Sequence, residues 1–373
     1  MKSLLALVLV VGTLEGWTVG RTNLSRLTFQ PSNLPTFVYV ANQASGKVTI
    51  INAATDSIVA TVDFTQLGFS AHPKPHHIVV EPDGSYWYVS LVGDNVVVKL
   101  DRANHIVAKA ETVTPGLLAL DPKSDKLYAT RSMSAVNAPA RIAVINRKTM
   151  TPEEVEVLVP RPHGLAVAPD GAHAYVASLG ANQIAVYDAK REQVGIVDVP
   201  GGDTSQVIVQ LAVSPDGRTL VATAQLTDRL LVFDLADPAK PKLVQKVPTG
   251  DWPWLVSFTP DGREVWLPNQ RSNDVTVIDA KHWSVLTTVK GDFAQPDGIG
   301  ISGDGRLVFV ANHNTSNIMN MGGINMAMPA APAPGTTVSP GRVIVIDARR
   351  REVLRRIDTV PDGSGLGIAG GKP

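Results

Sequence analysis

The chain has 373 residues, 44% of them hydrophobic and 18% charged, a globular balance and not a disordered one. Lysine plus arginine and aspartate plus glutamate are equal at 34 each, so no net field steers the protein towards nucleic acid or acidic lipid. Cysteine is absent, which excludes disulfides, thiolate metal ligands, a thiol nucleophile and haem attachment through Cys-x-x-Cys-His.

The chain opens with Lys2 and an apolar run over 4–11, the n-region and h-region of an export signal and too short to span a membrane. Residues 1–20 are expected to be that signal. The mature protein is then periplasmic or secreted and does not cross a membrane. Beyond it, apolar strands ending in Asp or Asn recur seven times, over 48–52, 97–101, 142–146, 184–188, 230–234, 275–279 and 343–347. Their closing residues are spaced by 49, 45, 42, 46, 45 and 68. A period in the forties, with turn signals between short strands, marks the blade of a β-propeller.

A second repeat agrees with the first. Pro82-Asp83-Gly84, Pro169-Asp170-Gly171, Pro215-Asp216-Gly217 and Pro260-Asp261-Gly262 share one position, with Gly303-Asp304-Gly305 and Pro122-Lys123-Ser124 as variants. Proline sets φ at the first corner of such a turn and glycine accepts the positive φ. Each blade therefore reads as an inner strand, the turn, a second strand, a polar loop, the strand ending in Asp or Asn, and an outer strand. No apolar pattern keeps a 3.6-residue period over three turns, so no long helix is predicted. The first repeat begins at its second strand, while residues 365–369 look like an inner strand with no blade to follow. If that segment completes the first blade, the ring closes and loses its open edges. The prediction is all-β: a seven-bladed β-propeller of four-stranded antiparallel blades over 36–370, closed by pairing of N- and C-terminal strands.

Tyr39-Val40-Ala41-Asn42, followed by 46–52 and 58–62, resembles the repeat of the YVTN family of seven-bladed propellers, and the resemblance runs from Phe37 to Ala369. It implies the fold strongly and an activity weakly, because the family includes surface-layer proteins and periplasmic proteins of no assigned role. Propeller parts of nitrous oxide reductase and haem-containing nitrite reductase are relatives by fold. The first of those activities needs more channel histidines and a cysteine-containing copper domain.

Candidate chemistry comes from two places. Registering the blades on the turn defines a slot seven residues before its central residue, occupied by His76, Gly116, His163, Val209, Trp254 and Asp297. Inner strands line the channel of a propeller, so His76, His163, Trp254 and Asp297 are expected to ring one mouth. The loops after the second strands, with Gln43, Arg131, Gln270 and His313, are expected on the same rim. Neighbours on a strand point to opposite sides, so only one of His76 and His77 can face the channel, and the register selects His76. His72, His105, His173 and His282 are expected to be exposed.

The second place is an insertion in the last blade, 318–340, where four of the chain's 7 methionines, Met319, Met321, Met326 and Met328, lie within ten positions. Thioethers are soft ligands that suit copper(I), with His313 as a further donor, although methionine is also an adaptable apolar filler. Three uses of the mouth stay open: a pocket for a small molecule or protein partner, with Trp254 as a stacking face and Asp297, Arg131 and Gln270 fixing polar groups; a metal-dependent or lyase-type site on the histidines; and a water-filled cap on the channel. Gly-x-Ser-x-Gly, His-Glu-x-x-His and the phosphate-binding Gly-x-x-x-x-Gly-Lys are all missing. No catalytic residue is therefore assigned, a binding or scaffold role is favoured over an enzyme, and copper is the cofactor candidate.

Overall fold

A computed structural model describes residues 36–133, 138–201, 204–313 and 340–369. The expected signal, 1–20, and Met319, Met321, Met326 and Met328 lie outside the described residues. The described strands form seven four-stranded antiparallel sheets. Their inner strands touch in sequence round a closed ring: Gly363–Ala369, Pro75–Val80, Leu118–Leu120, Pro162–Val167, Ile208–Val213, Ser257–Phe258 and Pro296–Ile301. None of the helices among the described residues is long and apolar enough to cross a membrane.

Both sequence repeats have a local physical cause. In the turns, Gly84, Gly171, Gly217, Gly262 and Gly305 take φ between 67° and 73°, a region closed to most side chains. The preceding aspartate folds back on its own turn: Asp170 accepts the Ala172 N–H, Asp216 that of Arg218 and Asp261 that of Arg263. The residue closing each third strand works in the same way. Asn52, Asp101, Asn146, Asp188, Asp234, Asp279 and Asp347 each accept a backbone N–H two or three residues on. A short acceptor on a short stem turns the chain into the outer strand. The seven Asp/Asn positions are turn-makers.

Sheets stacked round a ring bury both faces, so the middle strands read as continuous apolar runs without alternation. His173–Ser178 and Val265–Leu267 illustrate this, and Trp87, Tyr128, Trp266 and Phe309 are fully buried between blades. Outer strands face solvent on one side, which leaves Val59, Val107 and Val244 exposed.

The first blade is completed from the far end of the chain. Gly363–Ala369 pairs antiparallel with Phe37–Asn42, with Val40 opposite Leu366, as the sequence predicts. Seating it demands glycine at close approaches. A Cβ on Gly365 would lie 2.1 Å from the His76 carbonyl oxygen, and one on Gly298 would lie 2.3 Å from that of Ser364. Adjacent inner strands meet there backbone to backbone. The glycine of Pro162-His163-Gly164 serves the same packing, since its Cβ would lie 3.0 Å from the Val209 carbonyl.

Candidate functional site at the channel mouth

Five inner strands carry a β-bulge at the slot, the one in the closing strand falling between Gly363 and Leu366. Pairing slips between Pro75 and Ile78, between Pro162 and Leu165, between Ile208 and Leu211, and between Pro296 and Ile299. Each bulge contains the slot residue and its successor, so strict alternation fails there and the side chain is re-aimed. The ring has a seventh member that the turn register does not reach. Gly363 pairs with Asn42 as Pro296 pairs with Asn312, which puts Ser364 in the slot of the first blade.

His76 and His163 meet although the third blade stands between theirs. Their ring centroids are 6.3 Å apart with planes inclined at 66°. The intervening slot holds Gly116, which has no side chain to separate them. His163 is 1% exposed. Its Nδ1 lies 2.7 Å from the Val209 carbonyl oxygen, an acceptor only, so Nδ1 carries the proton and Nε2 keeps its lone pair. That Nε2 is buried with no partner, and so are both ring nitrogens of His76. Burial, chiefly, pulls the His163 pKa down to about 4, against the Val209 carbonyl and Asp297, which raise it. Burial, followed by the neighbouring His163, His77 and His313, lowers His76 well below the usual histidine value. Both rings are neutral at pH 7.

His77 has a different task. Its Nδ1 accepts the Leu118 N–H at 3.2 Å, closing the edge of the next inner strand, and burial lowers its pKa to about 4. Gln210 does likewise for the Leu165 N–H at 3.0 Å. Unpaired strand-edge groups in a dry interface need such partners.

A charged triad adjoins the pair. The His313 Nε2 donates to Asp297 at 2.5 Å and its Nδ1 donates to Asp362 at 2.6 Å, all three side chains being buried. Burial works against the imidazolium, but the two carboxylates overcome it and hold the His313 pKa up to about 10. Asp362 also accepts the Ala44 N–H at 2.9 Å, and its own carbonyl accepts the Gln43 N–H at 3.1 Å. Burial tends to raise the Asp362 pKa, yet the His313 contact and the Ala44 bond leave it below the ordinary carboxylate value. With both nitrogens committed, His313 offers no lone pair to a metal in this arrangement.

The remaining expected residues divide. Trp254 is 8% exposed and belongs, with Val209 and Leu117, to an apolar cluster extending from the third blade to the seventh; its ring is packed more than it is offered. Arg131 is paired with Glu154, which also binds Arg141 at 2.9 Å, and its Nε donates to the Val113 carbonyl at 3.2 Å. These contacts tie it to an outer strand. Gln270 donates its backbone N–H to the Trp252 carbonyl at 2.9 Å. His72, His105 and His282 are exposed, whereas His173 is half-buried and stacks on Tyr175. Asp362 and Ser364 were not reachable from the turn register, and Gln225, which follows its second strand as His313 does, is buried with its amide nitrogen unpartnered. No group of three or more His, Cys, Asp or Glu among the described residues is already arranged to hold a metal ion.

The site and fold together define a seven-bladed β-propeller with two neutral histidines and a buried charged triad at one channel mouth. Comparisons agree on the fold. A family model described as a lactonase, seven-bladed β-propeller, matches residues 200–299. Antigen Lp49 from Leptospira interrogans is 24% identical over 220 residues, 52% of this chain and 45% of that protein. An uncharacterized protein of Staphylococcus epidermidis is 25% identical over 114 residues, 33% of its length. The chain thus spans less than half of the curated relatives it matches. Two crystal structures cover 90% of the chain. A functionally unknown protein from Desulfotomaculum acetoxidans has a TM-score of 0.69 at 13% identity, and a proposed 6-phosphogluconolactonase from Bacteroides fragilis has 0.65 at 14%.

Proposed function

We propose that the chain is an exported propeller that captures a ligand at this mouth and acts by binding. The observation that carries the reading is the set of three buried, unpartnered imidazole nitrogens, Nε2 of His163 and both of His76. A buried polar atom without a partner costs about 1–3 kcal/mol; a ligand offering donors or positive charge to the two lone pairs, and an acceptor to the remaining His76 N–H, would offset it. Asp297 and Asp362 flank the imidazolium of His313, while the Arg161 guanidinium acts on His163 with the opposite sign.

The lactonase match raises hydrolysis as a second reading. General-base catalysis works best with a pKa near the working pH, and His163 at about 4 and His313 at about 10 lie far on either side. Of the two histidines and the three members of the charged triad, only Asp297 falls inside the matched span, and it is engaged by His313. Binding is therefore the better-supported role.

Native mass spectrometry of the protein taken directly from its source cells tests the reading. A co-purifying mass, or a thermal shift with a member of a small-molecule panel, is expected for the wild type. His76→Gln should weaken that capture by about tenfold or more, the loss of one to two hydrogen bonds to ligand. Its melting temperature should stay close to that of the wild type, because neither ring nitrogen of His76 makes a hydrogen bond in the fold. Capture unaffected by His76→Gln and His163→Gln would rule the mouth out. Cell fractionation checks export: the protein should appear in the periplasmic or culture fraction.

A further inference from the structure

We infer that the ligand held between His76 and His163 is a divalent first-row transition-metal ion, bound by the two imidazoles with water completing its shell. The inference rests on the binding reading above and specifies its chemistry. Three observations carry it. Donation of the His163 Nδ1 proton to the Val209 carbonyl at 2.7 Å fixes the tautomer and aim of the ring. A metal-bound histidine is commonly oriented in this way, its second nitrogen donating to a backbone carbonyl. The lone pairs that result are buried and have no protein partner on either ring.

Ring separation is the third observation. A metal–nitrogen bond of about 2.0–2.1 Å places an imidazole centroid about 3 Å from the ion, so two rings sharing one ion stand roughly 5 Å apart at a tetrahedral angle and a little over 6 Å apart at a linear one. The observed 6.3 Å is at the wide end of that range. The His76 ring, which no side-chain hydrogen bond holds, is the one left to turn towards an ion on the His163 Nε2. Neutral imidazole with no thiolate competitor anywhere in the chain suits copper(II) or zinc(II) better than calcium or magnesium, which prefer oxygen. Two protein ligands make an open, exchangeable site.

The test uses the full chain after chelator treatment, with zinc(II) alone and then copper(II) alone as probes, read by equilibrium dialysis and calorimetry at pH 7. One ion per chain is expected, with copper the tighter. His76→Gln and His163→Gln should each weaken uptake at least tenfold, and replacement of the exposed His105 and His282 should not. Deletion of 318–340 should leave zinc uptake intact, since thioethers hold copper(I) and not zinc. If His163→Gln fails to fold, His76→Gln decides. No stoichiometric uptake by the wild type would overturn the inference, as would uptake unchanged in His76→Gln or abolished only by the deletion. Should the wild type refuse both metals yet lose an organic ligand on His76→Gln, the metal assignment falls and binding at the mouth stands.

Discussion

Replacing Asp362 with asparagine is expected to destabilise the protein by ~3–5 kcal/mol, the usual cost of removing one partner from a buried, hydrogen-bonded ion pair. His313 would then keep one carboxylate for a cation whose side chain is only 5% exposed. Asparagine is the informative change for a conformational reason. Asp362 sits at φ 69°, which asparagine tolerates and alanine does not, and the amide oxygen can still accept the Ala44 N–H. Asp362→Asn therefore isolates the charge, while Asp362→Ala adds backbone strain and a lost bond and should be worse. Urea denaturation read by tryptophan fluorescence measures both. A loss below about 1 kcal/mol for asparagine, the range of a solvent-exposed pair, would mean that the triad is hydrated.

The same triad sets a pH dependence with a definite sign. His313 is raised from its ordinary value near 6.5 to about 10, so its contribution is complete below about pH 6.5 and is lost as pH climbs towards 10. Asp362 is depressed, so its contribution is present above about pH 4 and is lost on acidification through its folded value. Unfolding free energy should fall by a few kcal/mol, in order of magnitude, between pH 6.5 and 10. In His313→Gln that alkaline decline should be largely gone. An equal decline in both proteins would assign it to other groups.

The second large effect is expected from Gly365→Ala. The added Cβ would stand 2.1 Å from the His76 carbonyl oxygen and 2.9 Å from the His77 Cα, and both are backbone atoms that cannot rotate away. Relief requires the closing strand and the second blade to separate. Forced overpacking of this kind costs about 1–3 kcal/mol or more. The damage should also be functional, because the displaced backbone carries His76. Thermal unfolding should shift down and ligand or metal uptake at the mouth should weaken together. A control at Gly68, where a Cβ would meet nothing within 4 Å, lacks the clash and leaves only the cost of its φ of 84°. Retained stability in Gly365→Ala would show that the inner strands can slide.

The architecture was largely legible because its signals repeat. Seven Asp or Asn residues close third strands for one physical reason, and five glycines with positive φ mark one turn, so each blade corroborates the others. The closing strand was legible by elimination, since the first blade lacked an inner strand and the chain's end held a spare one. Side-chain direction was less accessible. Position seven before the turn found His76, His163 and Asp297, but Arg131, assigned to the same rim, reaches outward to Glu154, and Trp254 packs into an apolar cluster. Nothing in spacing distinguishes a side chain that leans into a channel from one that leans between blades. The Asp297–His313–Asp362 triad escaped notice because the closing strand has no turn ahead of it to supply a register. Aligning Gly363 with Pro296 through their second-strand partners would have exposed it.

Asp362 and Ala44 are 318 positions apart in the chain, and their bond belongs to the same cluster as the mouth histidines. During synthesis six blades' worth of chain can emerge and pair locally while this cluster is still incomplete. The histidine pair therefore gains its final surroundings only when the last strand docks against the first. A chain cut short by proteolysis or premature termination would retain most of its sheet structure and still lack the finished mouth. The mouth is thus finished only once the strand over 363–369 has paired with that over 37–42.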